Sequence, residues 1–234
     1  MREGGGGVNA DDKKNLPFWG IMLIMFSYLI LPFIYYLFRQ NNFKLIDFYA
    51  LSAVLLFLIV GAYQIYFYPQ KYHKNNTNII EIPETYIDKQ IPKLTWSVYI
   101  YNFVYYIGFG LLLIFIKSYK EFIYTCFRAL LLLVTLFLFF MVFPYKLNDN
   151  TRDKGEKNIF LNLTQSCDGL TNAFPSAHVA IAVYISVVLK KYIGNIAFIF
   201  PILIFISCLL TKQHFFIDCV GGACWGSIYS SIVL

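Results

Sequence analysis

Apolar positions in this chain come in long unbroken blocks, such as "ALLLLVTLFLFFMVF" at residues 129–143, and not in the every-second-residue alternation of a half-buried strand. Blocks near the length of about 20 residues that a helix needs to cross a hydrocarbon layer of roughly 30 Å occur at 17–38, 46–68, 94–117, 121–144, 174–190, 192–211 and 214–234. Their continuity predicts helices and excludes a membrane barrel. Prolines fit the boundaries. Pro92 and Pro175 precede blocks, where a missing amide proton costs nothing, and Pro144 closes one, whereas Pro32 and Pro201 fall inside or close to blocks and predict kinks. The stretches 69–93 and 145–173 read as loops, and residues 1–15, "MREGGGGVNADDKKN", as a disordered tail.

The expected fold is therefore all-α: a polytopic transmembrane bundle of six to seven spans, forming one domain over 16–234. Composition agrees. At 59% hydrophobic, 20% aromatic and 14% charged, 234 residues carry more apolar surface than one water-soluble core can hide. A net charge of +6 would suit a nucleic-acid partner, but its distribution excludes one. Arg39 and Lys44, Lys117 and Lys120, and Lys190 and Lys191 all fall in short connections that seven spans place on a single face, which the positive-inside rule makes cytoplasmic. The loops 69–93 and 145–173 and the segment Lys212 to Asp218 then face outward. Cys126, Cys208, Cys219 and Cys224 lie inside blocks and Cys167 in a loop, so the five cysteines read as apolar filler with no disulfide framework.

Candidate chemistry gathers on that outward face. His178 follows a Pro-Ser pair at the head of one block, and His214 precedes Asp218 by four residues at the head of another. On a helix that spacing puts carboxylate and imidazole one turn apart, so that Asp218 accepts a ring N–H and leaves the other nitrogen of His214 to attack. His178, on a separate helix at the same depth, is placed to donate a proton to a departing oxygen. An anion would be held by the Ser176 hydroxyl, by the amides of Ser176, Ala177 and His178 at a helix N-terminus, and by the cations Lys212, Lys146 and Arg152. Tyr99, Asn102 and Tyr106 form a polar stripe on the third block that would line a substrate pocket below the histidines. Arg128 would snorkel or pair with Asp47, and Gly221 and Gly222 would let two helices approach closely.

"FPSAH", residues 174–178, and "SCLLTKQHFFIDCVGG", residues 207–222, resemble the second and third signature motifs of the type 2 phosphatidic acid phosphatase superfamily. The likeness is nearest to its membrane branch of inositol phosphorylceramide and sphingomyelin synthases. The resemblance implies that His214 attacks phosphorus to form a phosphohistidine, Asp218 orients it, His178 protonates the leaving group, and Ser176 and the Ala177 backbone bind phosphate oxygens. It also implies no metal or other cofactor. Three departures are visible: Ala177 stands where the family has Gly, Cys208 where it has Arg, and "KLNDNTR", Lys146 to Arg152, echoes the first motif one residue short and without its Pro. Lys212 is the substitute expected for the absent Arg.

The function expected on these grounds is metal-independent removal of phosphate from a phosphatidic acid-like membrane lipid at the extracytoplasmic face. The alternative within the class is a phosphotransferase that hands the group to a second lipid. From another class, a proton-coupled transporter would use the same residues as a relay, but the ionisable groups gather at one face and form no ladder across the bilayer. A scaffold without activity would follow if Lys212 cannot stand in for the Arg.

Overall fold

A computed structural model describes residues 66–73, 78–148, 158–169 and 171–231. Of the two compact units into which the chain divides, Met1–Leu56 and Phe57–Leu234, the described residues all belong to the second. The apolar windows at 17–38 and nearly all of 46–68, the tail 1–15, Asp47 and Arg152 lie outside them.

Among the described residues from 78 on, these elements follow in chain order: β1 (Ile80–Ile82), α1 (Tyr86–Gln90), α2 (Val98–Phe115), α3 (Tyr119–Val142), β2 (Tyr145–Leu147), α4 (Ile159–Cys167), α5 (Ala177–Ile193), α6 (Ile199–Leu210) and α7 (Phe216–Ser231). The five long helices coincide with the last five apolar windows, and two of them show local stop and start chemistry. Ser118 caps α3 by accepting from the Glu121 amide at 3.4 Å, and α3 ends just before Pro144. Ser176 caps α5, and Gly194, at φ 63°, closes it with a bond from its amide to the Lys190 carbonyl.

Two expectations are corrected. The chain is mostly helical but not all-α: β1 and β2 pair in parallel, Ile80 with Tyr145 and Ile82 with Leu147. The stretch 145–173, expected as a loop, also contains α4, which leaves Ile159 and Leu163 exposed. The membrane expectation is met in part. Among the described residues one helical run, Ala177–Leu210, with mean hydropathy 2.5, is long and apolar enough to cross a membrane by length and composition. Gly194 breaks that run into α5 and α6, which pack against each other.

The closest packing joins α5 to α7. An added Cβ on Gly222 would stand 2.3 Å from the Ser176 carbonyl oxygen, and one on Gly226 would stand 2.3 Å from that of Ala180. The expectation of close helix approach therefore holds at Gly222. Gly221 meets the Phe174 ring in the same way, at 2.6 Å. Around this contact lies a cluster of Tyr101, Val179, Ala182, Ile204, Cys208, Leu209 and Cys219, so Cys208 and Cys219 are the core filler expected of them. The consequence for the site is positional: the head of α5 and the head of α7 are held together with nothing but backbone between them.

Candidate functional site

The two heads carry the chemistry. At α5, a cis peptide joins Phe174 to Pro175, Ser176 accepts from the Val179 amide at 3.4 Å, and its own amide donates to the Asp218 carbonyl on α7 at 2.9 Å. Of the amides expected to open towards an anion, that of Ser176 is thus already used, and Ser176 itself is fully buried as a helix cap. Ala177 stands at the first helical position, also buried.

The turn before α7 is built from the end of α6. The Lys212 amide donates to Leu209 and the Gln213 amide to Cys208, with Lys212 itself at φ 55°, which together make a Schellman closure with a lysine in the place where glycine is usual. A non-glycine side chain held there costs about 1–2 kcal/mol. Lys212→Gly is therefore expected to melt higher than Lys212→Ala by an amount near 1 kcal/mol, read by thermal unfolding of the two variants. The Lys212 ammonium donates to the Asp88 carbonyl.

This turn presents His214, only 4% exposed. Its Nδ1 lies 3.0 Å from the Ala173 carbonyl oxygen and 3.7 Å from Asp218 Oδ2. The expected geometry is corrected here. His214 sits in the turn and not on the helix, and the acceptor within hydrogen-bond distance is the Ala173 carbonyl, the carboxylate standing at ion-pair range. A carbonyl has no proton to give, so Nδ1 carries the hydrogen and the lone pair of the neutral ring is on Nε2. Asp218, with no exposed surface, reaches back from the third helical position to accept from the Phe215 amide at 2.7 Å, and among the described residues its Oδ1 has no hydrogen-bond partner. Its charge is therefore only partly offset by that bond and the α7 N-terminus, and remains to act on His214.

His178, from α5, brings its ring centroid to 6.0 Å from that of His214. Its Nδ1 is 3.0 Å from the Tyr101 hydroxyl on α2, and the Tyr66 ring meets it edge-on at 6.3 Å. Asp168, just past α4, accepts from Gln70 Nε2 at 2.7 Å.

The remaining expected residues lie further out. Lys146 is half-buried in β2, opposite Glu81, on the strand face turned away from Tyr145 and Leu147. Among the described residues it has no hydrogen bond to either imidazole. Tyr99 packs on Phe160 at 5.3 Å and Asn102 donates to Thr164 at 3.1 Å, so this part of the stripe meets α4 and not the histidines. The Tyr106 side chain lies outside the described residues. Arg128 keeps a buried Nε with no partner.

Two contributors escaped the sequence reading. Tyr101 is one, and nothing around it in the sequence distinguishes it from eighteen other tyrosines. Asp88 is the other: its Oδ1 accepts from the Phe216 amide at 2.7 Å, so a side chain from α1 caps α7 from outside. Leu94 adds a backbone bond to Leu210 at 2.8 Å, at the end of the helix that leads into the His214 turn. "TYID", Thr85 to Asp88, carries a capping-box signature that locates α1 but not this second use of the carboxylate. Asp88→Ala orphans the Phe216 amide and is expected to cost about 1–2 kcal/mol, measured by denaturation in detergent.

Two histidines, one on α5 and one in the turn before α7, beside a buried carboxylate and a helix N-terminus can pass a phosphoryl group through nitrogen. A profile of the PAP2 superfamily matches residues 76–230, about two thirds of the chain and including both heads. This protein belongs to the PAP2 superfamily. Members of that superfamily are metal-independent phosphatases and phosphotransferases. No curated protein and no solved structure matches the chain. In this PAP2 domain, among the described residues, no three His, Cys, Asp or Glu side chains converge as metal ligands do.

Proposed function

We propose that this PAP2 protein is an integral membrane lipid phosphatase that removes phosphate from a phosphatidic acid-like lipid through a phosphohistidine, at the extracytoplasmic face of a six- to seven-span bundle. The observation that carries the reading is the bond from His214 Nδ1 to the Ala173 carbonyl, because it aims an Nε2 lone pair from a fixed ring while a second imidazole waits beside it. In the first step Nε2 of His214 forms a bond to phosphorus as the phosphorus–oxygen bond to the lipid breaks. The departing oxygen takes the electron pair and then the Nε2 proton of His178. Positive charge grows on the His214 ring, and Asp218 at 3.7 Å balances it. In the second step His178 takes a proton from water as its oxygen attacks the phosphohistidine, returning both rings to their starting state.

The phosphoryl oxygens would meet the N-terminus of α5 at Ala177 and the Ser176 hydroxyl, with Lys146, Arg152 and Lys212 as the cations. Lys212 would have to leave the Asp88 carbonyl to take part. Outward orientation rests on the basic residues of the opposite connections, Lys117, Lys120, Lys190 and Lys191.

The test is an assay of purified protein with phosphatidic acid, and separately with ceramide and a phospholipid donor. Phosphate release that persists in EDTA is expected. A new phosphosphingolipid without release would instead make the protein a transferase, since transfer differs from hydrolysis only in the acceptor. Proton flux in liposomes with neither product would overturn the reading.

A further inference from the structure

The two imidazoles have different partners, and the difference has chemical content. His214 has a carboxylate at 3.7 Å. His178 has a phenol: the Tyr101 hydroxyl is 3.0 Å from Nδ1, and the two rings lie 4.3 Å apart between centroids at 35°. Tyr101 is 4% exposed and is packed into the core cluster with Val179 and Cys208, so its own position is set by the fold. Resting on the reading of His178 as the proton donor, we propose that Tyr101 is the positioning residue of this acid, holding Nδ1 so that Nε2 faces the leaving oxygen.

A hydroxyl suits this task because it both donates and accepts. When His178 is an imidazolium, Nδ1–H donates to the Tyr101 oxygen. After the Nε2 proton has gone to the leaving group, the same Nδ1–H bond persists and leaves a lone pair on Nε2, ready to take a proton from water. One contact therefore serves both halves of the cycle without the ring turning. A carboxylate in the same place would hold the imidazolium by opposite charge and resist giving up the proton, whereas a neutral phenol orients without that penalty. At His214 the requirement is reversed, because a phosphorylated imidazole is cationic and is stabilised by an anion. The unequal partners thus divide nucleophile from acid.

The experiment compares wild type, Tyr101→Phe and His178→Ala with two substrates. Phosphatidic acid has an alkoxide leaving group that needs a proton, and p-nitrophenyl phosphate has one that does not. In the first turnover, before hydrolysis of the phosphohistidine that both esters share, Tyr101→Phe is expected to slow release of the lipid alcohol about tenfold or more, a part of what general acid catalysis supplies, with substrate binding little changed and release of p-nitrophenol slowed less than about twofold. Equal losses on both esters, or no loss on either, would overturn the proposal, since a role in packing alone does not distinguish leaving groups. A second measurement is independent of turnover. In protein labelled with nitrogen-15 histidine, three imidazoles are present and His178→Ala assigns one of them. Tyr101→Phe is expected to shift the His178 Nδ1 resonance and mix its tautomers; an unmoved resonance overturns the proposal even in a preparation that hydrolyses nothing. If His178→Ala instead slows the first turnover of both esters alike, the assignment of His178 as acid fails, and the resonance alone decides whether Tyr101 holds the ring.

Discussion

His214→Ala is expected to lower phosphate release by about 10⁴-fold or more, because in the proposed reaction it removes the atom that bonds to phosphorus. The nearest side chain with comparable nucleophilicity is His178, whose ring is 6.0 Å away and whose Nδ1 is engaged by Tyr101. The loss should appear in kcat. In the proposed reaction the groups that bind the lipid phosphate are left in place, and the turn keeps its backbone bonds from Lys212, Gln213 and His214. A direct check is the covalent intermediate. Wild type quenched in alkali after exposure to phosphorus-32-labelled lipid should retain label that acid removes, as expected of a phosphorylated imidazole, and His214→Ala should retain none. Label of unchanged amount in His214→Ala would place the nucleophile elsewhere and would remove the basis for assigning roles to His178 and Asp218.

Gly222→Ala is expected to be the most damaging single-methyl change in the described core. The added carbon would stand 2.3 Å from the Ser176 carbonyl oxygen and 3.2 Å from its carbonyl carbon, and these are backbone atoms that no rotamer change can clear. Overpacking of this kind costs about 1–3 kcal/mol where the surroundings can yield. Here the atoms that must yield begin α5, and His178 is two residues on, so activity should fall together with stability. Gly110→Ala in α2 is the control, since nothing lies within 4 Å of its added carbon. Relief of glycine's conformational freedom in a helix should make it neutral or stabilising by about 0.5–1 kcal/mol. Thermal unfolding in detergent, paired with phosphate release, separates the two. Equal melting temperatures for both variants would mean that the α5–α7 contact yields more easily than its geometry allows.

Much of the helical framework was readable before any coordinates. The windows from 94 onward coincide with α2, α3, α5, α6 and α7, because each combines an unbroken apolar block with a Ser, Pro or Gly at its edge, and these are local signals. The short elements were not readable. β1 and β2 are three residues each and are strands only because they find one another across more than sixty residues. α4 carries Ile159 and Leu163 on an exposed side, which breaks the usual rule that apolar periodicity marks the buried face. Within the site, the spacing of His214 and Asp218 suggested a helical pair with a direct bond. A Schellman closure ends α6 and lets the chain turn before α7 starts, so the ring is given to the Ala173 carbonyl instead.

The division follows from the range of the forces involved. By itself the sequence determined which stretches are helical and apolar, and it placed His178, Ser176, His214 and Asp218 at helix heads, because propensity, capping and hydrophobicity act over a few residues. Only tertiary structure decided that Tyr101 and not the Tyr99 stripe meets His178, that Asp88 caps a helix 128 residues away, and that Gly222 lets α5 and α7 touch. Those contacts are hydrogen bonds and close packing between segments distant in the chain, whose geometry exists only once the helices have found their places.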